Sequence, residues 1–448
     1  MNAPVNPLEA HRAAMNDVLG RQKAAHLRDG PPSVEKRIDW LNRCIDLLIG
    51  HQAEIAKAVN EDFGSRSPEA TALTDVAGSI GPLKSARPLR RSWACSAAKA
   101  MVQYQPKGVV GVISPWNFPV NLTFAPLAGV FAAGNRAMIK PSEFTPATSD
   151  LLKAMFAKAF AEEEVAVFVG GPEVGQAFSG LAFDHLVFTG ATSVARHVMR
   201  AAAENLVPVT LELGGKSPVI LSAWPPDYVF APQEEVETFV AEAKAAVGRY
   251  FPTLKDNPDY TALVAQRHYD RVKGYVDDAR AKGARIVEIN PAGEDLSQQE
   301  HRKIAPTLIL DPTDDMKVMQ EEIFGPVLPV KTYKSVDEAV DYVNAHDRPL
   351  ALYWFGTDEA EKDRVLARTT SGGVTVNDVI FHVAQEELPF GGVGPAGMGA
   401  YHGHDGFLEF SHKKAVFQQL KKDIAPMLGL RPPYGEAIRK YLAGQIKK

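Results

Sequence analysis

The stretch His185-Leu-Val-Phe-Thr-Gly190-Ala-Thr-Ser-Val-Ala195-Arg196 carries the clearest indication of the fold. Its first residues form a short apolar run of strand-forming residues, and the residues after Gly190 have the character of a helix start. The glycine lets the main chain approach a ligand closely, and Thr192 or Ser193 is expected to cap the helix. Because helix N-termini favour phosphate, the stretch predicts a strand–helix unit with a phosphate site, although no GxGxxG pattern accompanies it.

The same alternation of strand and helix extends in both directions along the chain. Further strands are predicted at 109–113, 137–139, 165–169 and 207–213, with helices at 122–133 and 151–160. After residue 232 the pattern repeats, with helices at 235–250 and 266–282 and strands at 285–289, 307–310, 327–330 and 350–355. Such alternation indicates parallel sheets covered on both faces, whose ligands bind at the carboxyl ends of the strands. We therefore expect an α/β protein with two α/β domains.

Composition and charge exclude several classes of function. The chain has 448 residues, enough for two or three domains, and a net charge of −5 at pH 7. That charge favours neither nucleic acid nor an anionic membrane as a partner. No apolar run reaches the roughly 18 residues of a membrane span, and the N-terminus lacks a secretory pattern. Two cysteines cannot form a disulfide framework, so a reduced, cytoplasmic location is expected.

A rigid turn follows the first predicted strand of the sheet, in Val109-Val-Gly-Val-Ile-Ser-Pro-Trp-Asn-Phe-Pro119. Pro115 and Pro119 restrict the main chain on either side of Asn117. A fixed amide in such a turn can donate a hydrogen bond to a developing oxyanion. The alternative interpretation is an ordinary asparagine that satisfies its own turn, and spacing alone favours this second interpretation.

A second polar loop follows the strand at 137–139, in Met138-Ile-Lys-Pro-Ser-Glu143. An acidic side chain at a strand end can bind the ribose hydroxyl groups of a dinucleotide, and Lys140 can join Glu143 there. Because a carboxylate repels a 2′-phosphate, NAD is predicted as the cofactor, with NADP as the alternative. A solvated loop without a ligand is the other interpretation.

Taken in chain order, a set of motifs resembles the aldehyde dehydrogenase superfamily. The motifs are SPWNFP at 114–119, KPSE at 140–143, FTG at 188–190, LELGGKSP at 211–218, EEIFGP at 321–326, Val376-Asn377 and PFGG at 389–392. They extend over nearly the whole chain. The runs QPKGVVGVISPWNFP and PFGGVGPAGMGAYHG are similar to the branch that acts on coniferyl, long-chain or aromatic aldehydes.

The resemblance implies a fold and a domain organisation. It implies an aldehyde dehydrogenase-like α/β fold, with a Rossmann-type NAD-binding domain from residues 1–88 and 107–211 and an α/β catalytic domain at 212–395. Residues 89–106 and 405–422 would form an oligomerisation hairpin, followed by a tail at 423–448. From the residues alone, the segment 87–107 is otherwise predicted to be irregular and basic. A homodimer or homotetramer is the implied assembly.

The resemblance also implies roles for individual residues. Glu212 would be the general base that activates a water, and Asn117 would hold the oxyanion. The substrate would be an aldehyde, of an aromatic, coniferyl type, oxidised to the carboxylic acid with NAD(P)⁺, and no metal is implied. The residues implied to contact the cofactor are Ile113, Pro115, Trp116, Lys140, Ser142, Glu143, Phe188, Gly190, Ala191, Val194, Leu213, Gly214, Glu322 and Phe324.

The catalytic cysteine of that family has no counterpart here. Cys44 and Cys95 both precede Glu212, whereas the family's nucleophile follows the general base. Cys44 is predicted to be a buried core residue, and Cys95 a surface or packing thiol. The strands predicted at 218–221 and 228–230 are separated by six residues, too few for a crossover helix. We therefore predict that these two strands are not adjacent members of a parallel sheet joined in the family's way.

A deletion that removes the helix and the nucleophile together is the simplest explanation, and it shortens the catalytic domain near 222–227. Two explanations stay open: the protein genuinely lacks the segment, or the sequence is incomplete there. Without a thiolate, no covalent thioester forms for Glu212 to hydrolyse, so a severely impaired aldehyde dehydrogenase is predicted. The alternative is a non-catalytic NAD-binding protein or structural subunit.

Overall fold

A computed structural model describes residues 7–86, 93–95, 99–221, 228–419, 435–436 and 439–440 of this protein. For Pro7, residues 93–95 and Lys99 the description is of the main chain only. The predicted features at 87–92 and 222–227, and most of the predicted tail at 423–448, lie outside these residues. Within the described part of the chain, no helix is both long and apolar enough to cross a lipid bilayer.

The helices flank the sheets on both sides. They are α1 (Pro7–Asp29), α2 (Val34–Gly50), α3 (Gln52–Phe63), α4 (Pro68–Thr71), α5 (Gly78–Ser85), α6 (Asn121–Ala133), α7 (Pro146–Ala159), α8 (Pro172–Ser179), α9 (Thr192–Ala203), α10 (Val236–Tyr250), α11 (Gln266–Ala281), α12 (Lys317–Gln320), α13 (Val336–Ala345), α14 (Glu359–Arg368) and α15 (Gly403–Glu409). A single π-helical stretch, Ala72–Ala77, joins α4 to α5. A 3₁₀ turn, Gln233–Glu235, precedes α10.

The strands form three sheets. They are β1 (Trp93–Cys95), β2 (Lys99–Pro106), β3 (Val109–Ile113), β4 (Arg136–Lys140), β5 (Val165–Val167), β6 (His185–Gly190), β7 (Val209–Leu213), β8 (Pro218–Leu221), β9 (Tyr228–Pro232), β10 (Arg285–Glu288), β11 (Thr307–Leu310), β12 (Val327–Tyr333), β13 (Ala351–Phe355), β14 (Gly373–Val376), β15 (Gly397–Met398) and β16 (Ser411–Gln418). The sheet orders are β15-β7-β6-β3-β4-β5, β10-β11-β12-β9-β8-β13-β14 and β1-β2-β16. The α/β fold predicted from the sequence is confirmed.

The first sheet places the predicted ligand-binding loops along one edge. Strands β7, β6, β3, β4 and β5 run parallel, because each is a short apolar run buried under helices on both faces. The carboxyl ends of β3, β6 and β7 therefore lie side by side. The short strand β15 pairs antiparallel with β7, with Gly397 opposite Glu212. The main chain of Glu212 is thus held between two neighbouring strands.

The second sheet corrects one prediction. Strands β8 and β9 are adjacent and parallel, with Pro218 opposite Tyr228 and Ile220 opposite Phe230. The prediction that they are not adjacent members of a parallel sheet joined in the family's way is therefore wrong as to their adjacency, while their connection lies outside the described residues. To start a parallel neighbour, the chain must return along a four-residue strand, a distance of about 13 Å. The six connecting residues, fully extended, span up to about 22 Å. Six residues therefore permit the pairing, although they are too few to hold a crossover helix.

The third sheet joins two distant parts of the chain. Strand β16 pairs antiparallel with β2 along its whole length, from Ser411 opposite Pro106 to Gln418 opposite Lys99. The expectation that 87–107 is irregular is therefore wrong for the part that forms β2. Isolated, this segment has little periodicity, and its strand conformation depends on pairing with residues some 300 positions away.

Candidate active site

A cavity of about 1100 Å³ lies where the first sheet faces the second α/β unit. One wall comes from the turns after β3, β6 and β7, and it includes Asn117, Gly190 and Glu212. The other wall comes from α11, from the loop before β12 and from the segment between α13 and β13. Because ligands of open parallel sheets bind at the carboxyl ends of strands, this cleft is the candidate site.

Glu212 is the central acidic group of the cavity. The residue is 7% exposed, and its Oε2 accepts a hydrogen bond from Thr189 Oγ1 at 3.0 Å. The same oxygen accepts a hydrogen bond from the hydroxyl group of Tyr401. Burial raises the pKa of the Glu212 carboxyl group above its ordinary value, against the effect of these two donors. A buried carboxyl group with a raised pKa beside a cavity suits a general base.

Asn117 lies in the turn between β3 and α6, on the cavity wall. Its main-chain carbonyl accepts a hydrogen bond from Arg66 Nη1 at 2.9 Å. Its side-chain Oδ1 is buried and has no hydrogen-bond partner in the part of the chain that the structure describes. The interpretation of an asparagine that satisfies its own turn through this oxygen is therefore not supported, and the amide borders the cavity.

The first turn of α9 opens on the cavity. The N-cap residue is Ala191, and no side chain caps the helix, so the prediction that Thr192 or Ser193 caps it is wrong. Thr192 instead donates from its hydroxyl group to the carbonyl of Pro395 at 3.1 Å. Thr192 and Ser193 both line the cavity. A helix N-terminus without a side-chain cap can bind a phosphate group, so this end of the cavity fits the phosphates of a dinucleotide.

Glu322 closes the cavity from the second unit. A Cβ atom at Gly214 would lie 1.9 Å from Glu322 Oε2, so only glycine allows this close approach. Arg271 donates hydrogen bonds of 2.9 Å to the carbonyls of Glu322 and Ile323. Phe324 adopts a φ of 46°, and its ring centroid lies 5.5 Å from that of Trp116. The loop from 321 to 324 therefore reaches across to the first sheet.

The structure brings together most, but not all, of the predicted site residues. Those that line the cavity are Pro115, Trp116, Asn117, Gly190, Ala191, Glu212, Leu213, Gly214, Glu322 and Phe324. Those that do not line it are Ile113, Lys140, Ser142, Glu143, Phe188 and Val194. Lys140 is buried and donates to the carbonyl of Pro141 at 2.7 Å, while Val194 is 48% exposed. The roles of this second group stay predictions.

Several groups at the site were not identified from the sequence. Thr189 and Tyr401 bind Glu212, and His268 lines the cavity between the rings of Trp116 and Phe144. Burial, with two nearby arginines, lowers the pKa of His268 to about 4, so its ring is neutral. Tyr401 stands within the run PFGGVGPAGMGAYHG, but nothing in that run indicates contact with a residue 189 positions away.

The structure describes the side chain of one of the two cysteines. Cys44 is fully buried in α2, and burial raises the pKa of its thiol, so the prediction of an inert core residue is confirmed. The main chain of Cys95 lies on β1, at the edge of the three-stranded sheet, which has no strand in common with the sheet of Glu212. No cysteine is among the described residues that line the cavity.

Comparisons with known proteins agree with this architecture. The profile of the Aldehyde dehydrogenase family matches residues 10–224 and 226–416. A "Probable coniferyl aldehyde dehydrogenase" of Caulobacter vibrioides is 82% identical over 485 residues, and the match covers 100% of each chain. The solved substrate-bound state of Staphylococcus aureus AldH is 31% identical with a TM-score of 0.88, covering 97% of this chain and 99% of that one. The Mycobacterium tuberculosis aldehyde dehydrogenase complexed with NAD⁺ is 27% identical with a TM-score of 0.80, covering 94% and 92%.

The fold and the cleft define an α/β protein with its candidate site between two sheets. The profile match extends over most of the chain, and the identity to the Caulobacter protein is high. This chain belongs to the aldehyde dehydrogenase family, whose members oxidise aldehydes to carboxylic acids.

Proposed function

We propose that this chain binds NAD in the cleft between the two larger sheets, with NADP as the alternative. The first turn of α9 would hold the pyrophosphate, because it has no side-chain cap and its residues Thr192 and Ser193 line the cavity. Glu322, which abuts Gly214, would bind the nicotinamide ribose. The similarity to the M. tuberculosis enzyme complexed with NAD⁺ supports the choice of cofactor.

The proposed substrate is an aromatic aldehyde of the coniferyl type. Support comes from the high identity to the Caulobacter protein, which is described as a probable coniferyl aldehyde dehydrogenase. In this proposal the amide of Asn117 donates a hydrogen bond to the oxygen of the bound carbonyl. Because no thioester forms without a thiol, Glu212 would take a proton from a water that adds directly to the aldehyde carbon. When bound, NAD⁺ accepts the hydride that leaves the aldehyde carbon.

We further propose that the nucleophile of the family is absent from this chain. The profile match is interrupted at residue 225, inside the short connection between β8 and β9. The match with the Caulobacter protein extends over 485 positions, 37 more than this chain has residues. The interruption of the profile match supports a missing segment between Leu221 and Tyr228, and the longer alignment supports missing residues without giving their place. The single observation that carries the proposal is the buried carboxyl group of Glu212 in a cavity without a cysteine among its described residues.

A chain that keeps the cleft but lacks the thiol binds the cofactor and turns over slowly. Covalent catalysis divides one difficult step into two easier ones, and this advantage disappears with the nucleophile. The alternative is a non-catalytic, NAD-binding subunit that pairs with an intact relative. The antiparallel pair β2 and β16 is the proposed oligomerisation hairpin of a homodimer or homotetramer, and the cytoplasm is the proposed location.

Titration and turnover measurements test this proposal. We expect calorimetry to show saturable NAD binding. We also expect this chain to form NADH from coniferyl aldehyde more slowly than a relative that has the catalytic cysteine, by on the order of 10³-fold or more. Replacing Cys95→Ser should leave this residual rate unchanged, because β1 lies outside the sheet of Glu212. Absence of NAD binding would refute the proposed cofactor site, and rapid turnover that Cys95→Ser abolishes would refute the missing nucleophile.

The contact between Gly214 and Glu322 gives a second test. In Gly214→Ala the new methyl group would clash with the Glu322 carboxylate. The carboxylate would have to move away, and it can do so because it is the flexible end of a side chain. We expect the dissociation constant for NAD to rise roughly tenfold, the usual effect of losing a hydrogen bond to a charged group, with little change in thermal stability. The matched control is Gly175→Ala in α8, where the added carbon meets nothing within 4 Å. Equal NAD affinity in both variants would contradict the role of Glu322.

A further inference from the structure

A buried ion pair lies directly behind the turn that carries Asn117. Arg66 is 6% exposed and Asp75 is fully buried, and Arg66 Nη2 lies 2.8 Å from Asp75 Oδ2. Asp75 stands in the π-helical stretch Ala72–Ala77. Such stretches are rare and often occur at functional sites. Neither residue lines the cavity, so the pair acts on the site only through its neighbours.

Asp75 holds the C-terminal side of the turn. Its Oδ1 accepts hydrogen bonds from the main-chain N–H groups of Val120 and Asn121, at 3.1 and 3.3 Å. These donors stand at the beginning of α6, where main-chain N–H groups have no partner within the helix. The N-cap residue, Val120, has an apolar side chain that cannot accept hydrogen bonds from them. The carboxylate of a distant segment therefore caps α6.

Arg66 holds the N-terminal side of the same turn. Its Nη1 donates to the carbonyl of Asn117 at 2.9 Å, and its Nη2 also donates to Thr74 Oγ1 at 2.9 Å. The guanidinium group lies between two rings, 4.9 Å from the centroid of Phe63 and 5.4 Å from that of Phe118. The planar fork of arginine makes these contacts simultaneously, which the single ammonium group of a lysine cannot do.

The cost of burying this pair points to a role other than stability. Burying two charges is expensive, and apolar replacements of similar volume are often as stable or more stable. Here both charged groups form hydrogen bonds with main-chain atoms of a single five-residue turn, 117–121. Arg66 binds the turn before Pro119, and Asp75 binds it after Pro119. The hydrogen bonds define the position of the Asn117 carbonyl and of the first turn of α6. The Asn117 side chain, whose Oδ1 has no hydrogen-bond partner among the described residues, depends on that main-chain position.

We infer that Arg66 and Asp75 are positioning residues, which orient the amide of Asn117 toward the carbonyl oxygen of a bound substrate or product. This inference rests on the proposed role of Asn117 as the donor to that oxygen. A misplacement of the amide by about 1 Å would weaken the hydrogen bond without blocking the cavity. Residues that never touch the substrate would thus determine how well its oxygen is bound.

The test uses Arg66→Lys, which keeps the charge opposite Asp75 but cannot keep the bond to the Asn117 carbonyl as well. The probe is cinnamate, the carboxylate product of an aromatic aldehyde, titrated by calorimetry in the presence of saturating NAD. We expect its dissociation constant to rise roughly fivefold in Arg66→Lys and roughly tenfold in Asn117→Ala, with NAD affinity unchanged in both. In the Asn117→Ala background, Arg66→Lys should have no further effect, because it acts through that amide.

A matched control is Arg37→Lys, since Arg37, like Arg66, donates to the main chain; its acceptors are the carbonyls of Pro32 and Ala132, away from the cavity. It should leave both affinities unchanged. If Asn117→Ala weakens cinnamate but Arg66→Lys does not, the positioning role is overturned while the proposed function stands. If Arg66→Lys weakens cinnamate equally with and without Asn117, or weakens NAD as much, the pair is only structural. If Asn117→Ala has no effect, the proposed oxyanion role fails and this inference with it.

Discussion

Inserting, between Leu221 and Tyr228, the corresponding segment of the Caulobacter relative, which we propose carries the nucleophilic cysteine, is expected to raise the rate of NADH formation by on the order of 10³-fold or more. The connection between β8 and β9 has six residues, whereas a crossover between adjacent parallel strands normally includes a helix and needs at least about 10–12. The two strands already pair in parallel, so the scaffold for that crossover is present. A thiolate in this segment would form a covalent intermediate, which a water activated by Glu212 in its proposed role would hydrolyse.

The control for this experiment is the same insertion with its cysteine replaced by alanine. It restores the length of the connection and any packing of the helix, but it supplies no nucleophile. Initial rates with coniferyl aldehyde and NAD separate the two effects. If the alanine version recovers the rate equally well, the deficit of this chain comes from lost packing. If the unaltered chain already matches the restored one, the cysteine segment is not required for its turnover.

Asp75→Ala is expected to produce the largest loss of stability among single substitutions at the site, about 3–5 kcal/mol, because it leaves Arg66 buried without a counter-charge. It also removes the acceptor for two main-chain N–H groups at the start of α6. The midpoint of urea unfolding, followed by circular dichroism, measures the effect. The double variant Arg66→Met with Asp75→Ala should recover part of the loss, because no buried charge then remains unpaired.

The ion pair of Arg136 with Asp29 provides a comparison of similar geometry but different burial. The two groups lie 2.7 Å apart, yet the Asp29 side chain is 46% exposed. Solvent screens such a pair, so Asp29→Ala should destabilise the protein much less than Asp75→Ala. Equal destabilisation by Asp29→Ala and Asp75→Ala would contradict the view that burial makes the Asp75 pair sensitive to removal of one partner.

The sequence alone was sufficient for the parallel architecture and for most of the candidate site. Strand–helix alternation predicted the first sheet and the ligand-binding turns of Asn117 and Gly190, and the family resemblance implied the roles of Asn117 and Glu212; all three residues line one cavity. It also showed that both cysteines precede Glu212. These features depend on local periodicity, on turn chemistry and on the order of motifs, all of which a single chain displays directly.

Tertiary structure alone decided which distant groups complete the site and which strands are neighbours. Tyr401 binds Glu212 across 189 positions, Arg66 reaches the turn of Asn117 across 51, and β8 lies beside β9 despite a connection too short for a helix. Sheet order, buried charge pairs and long-range hydrogen bonds depend on how completed elements pack against one another. No local pattern encodes that packing, because each of these contacts joins segments whose own sequences are compatible with many partners.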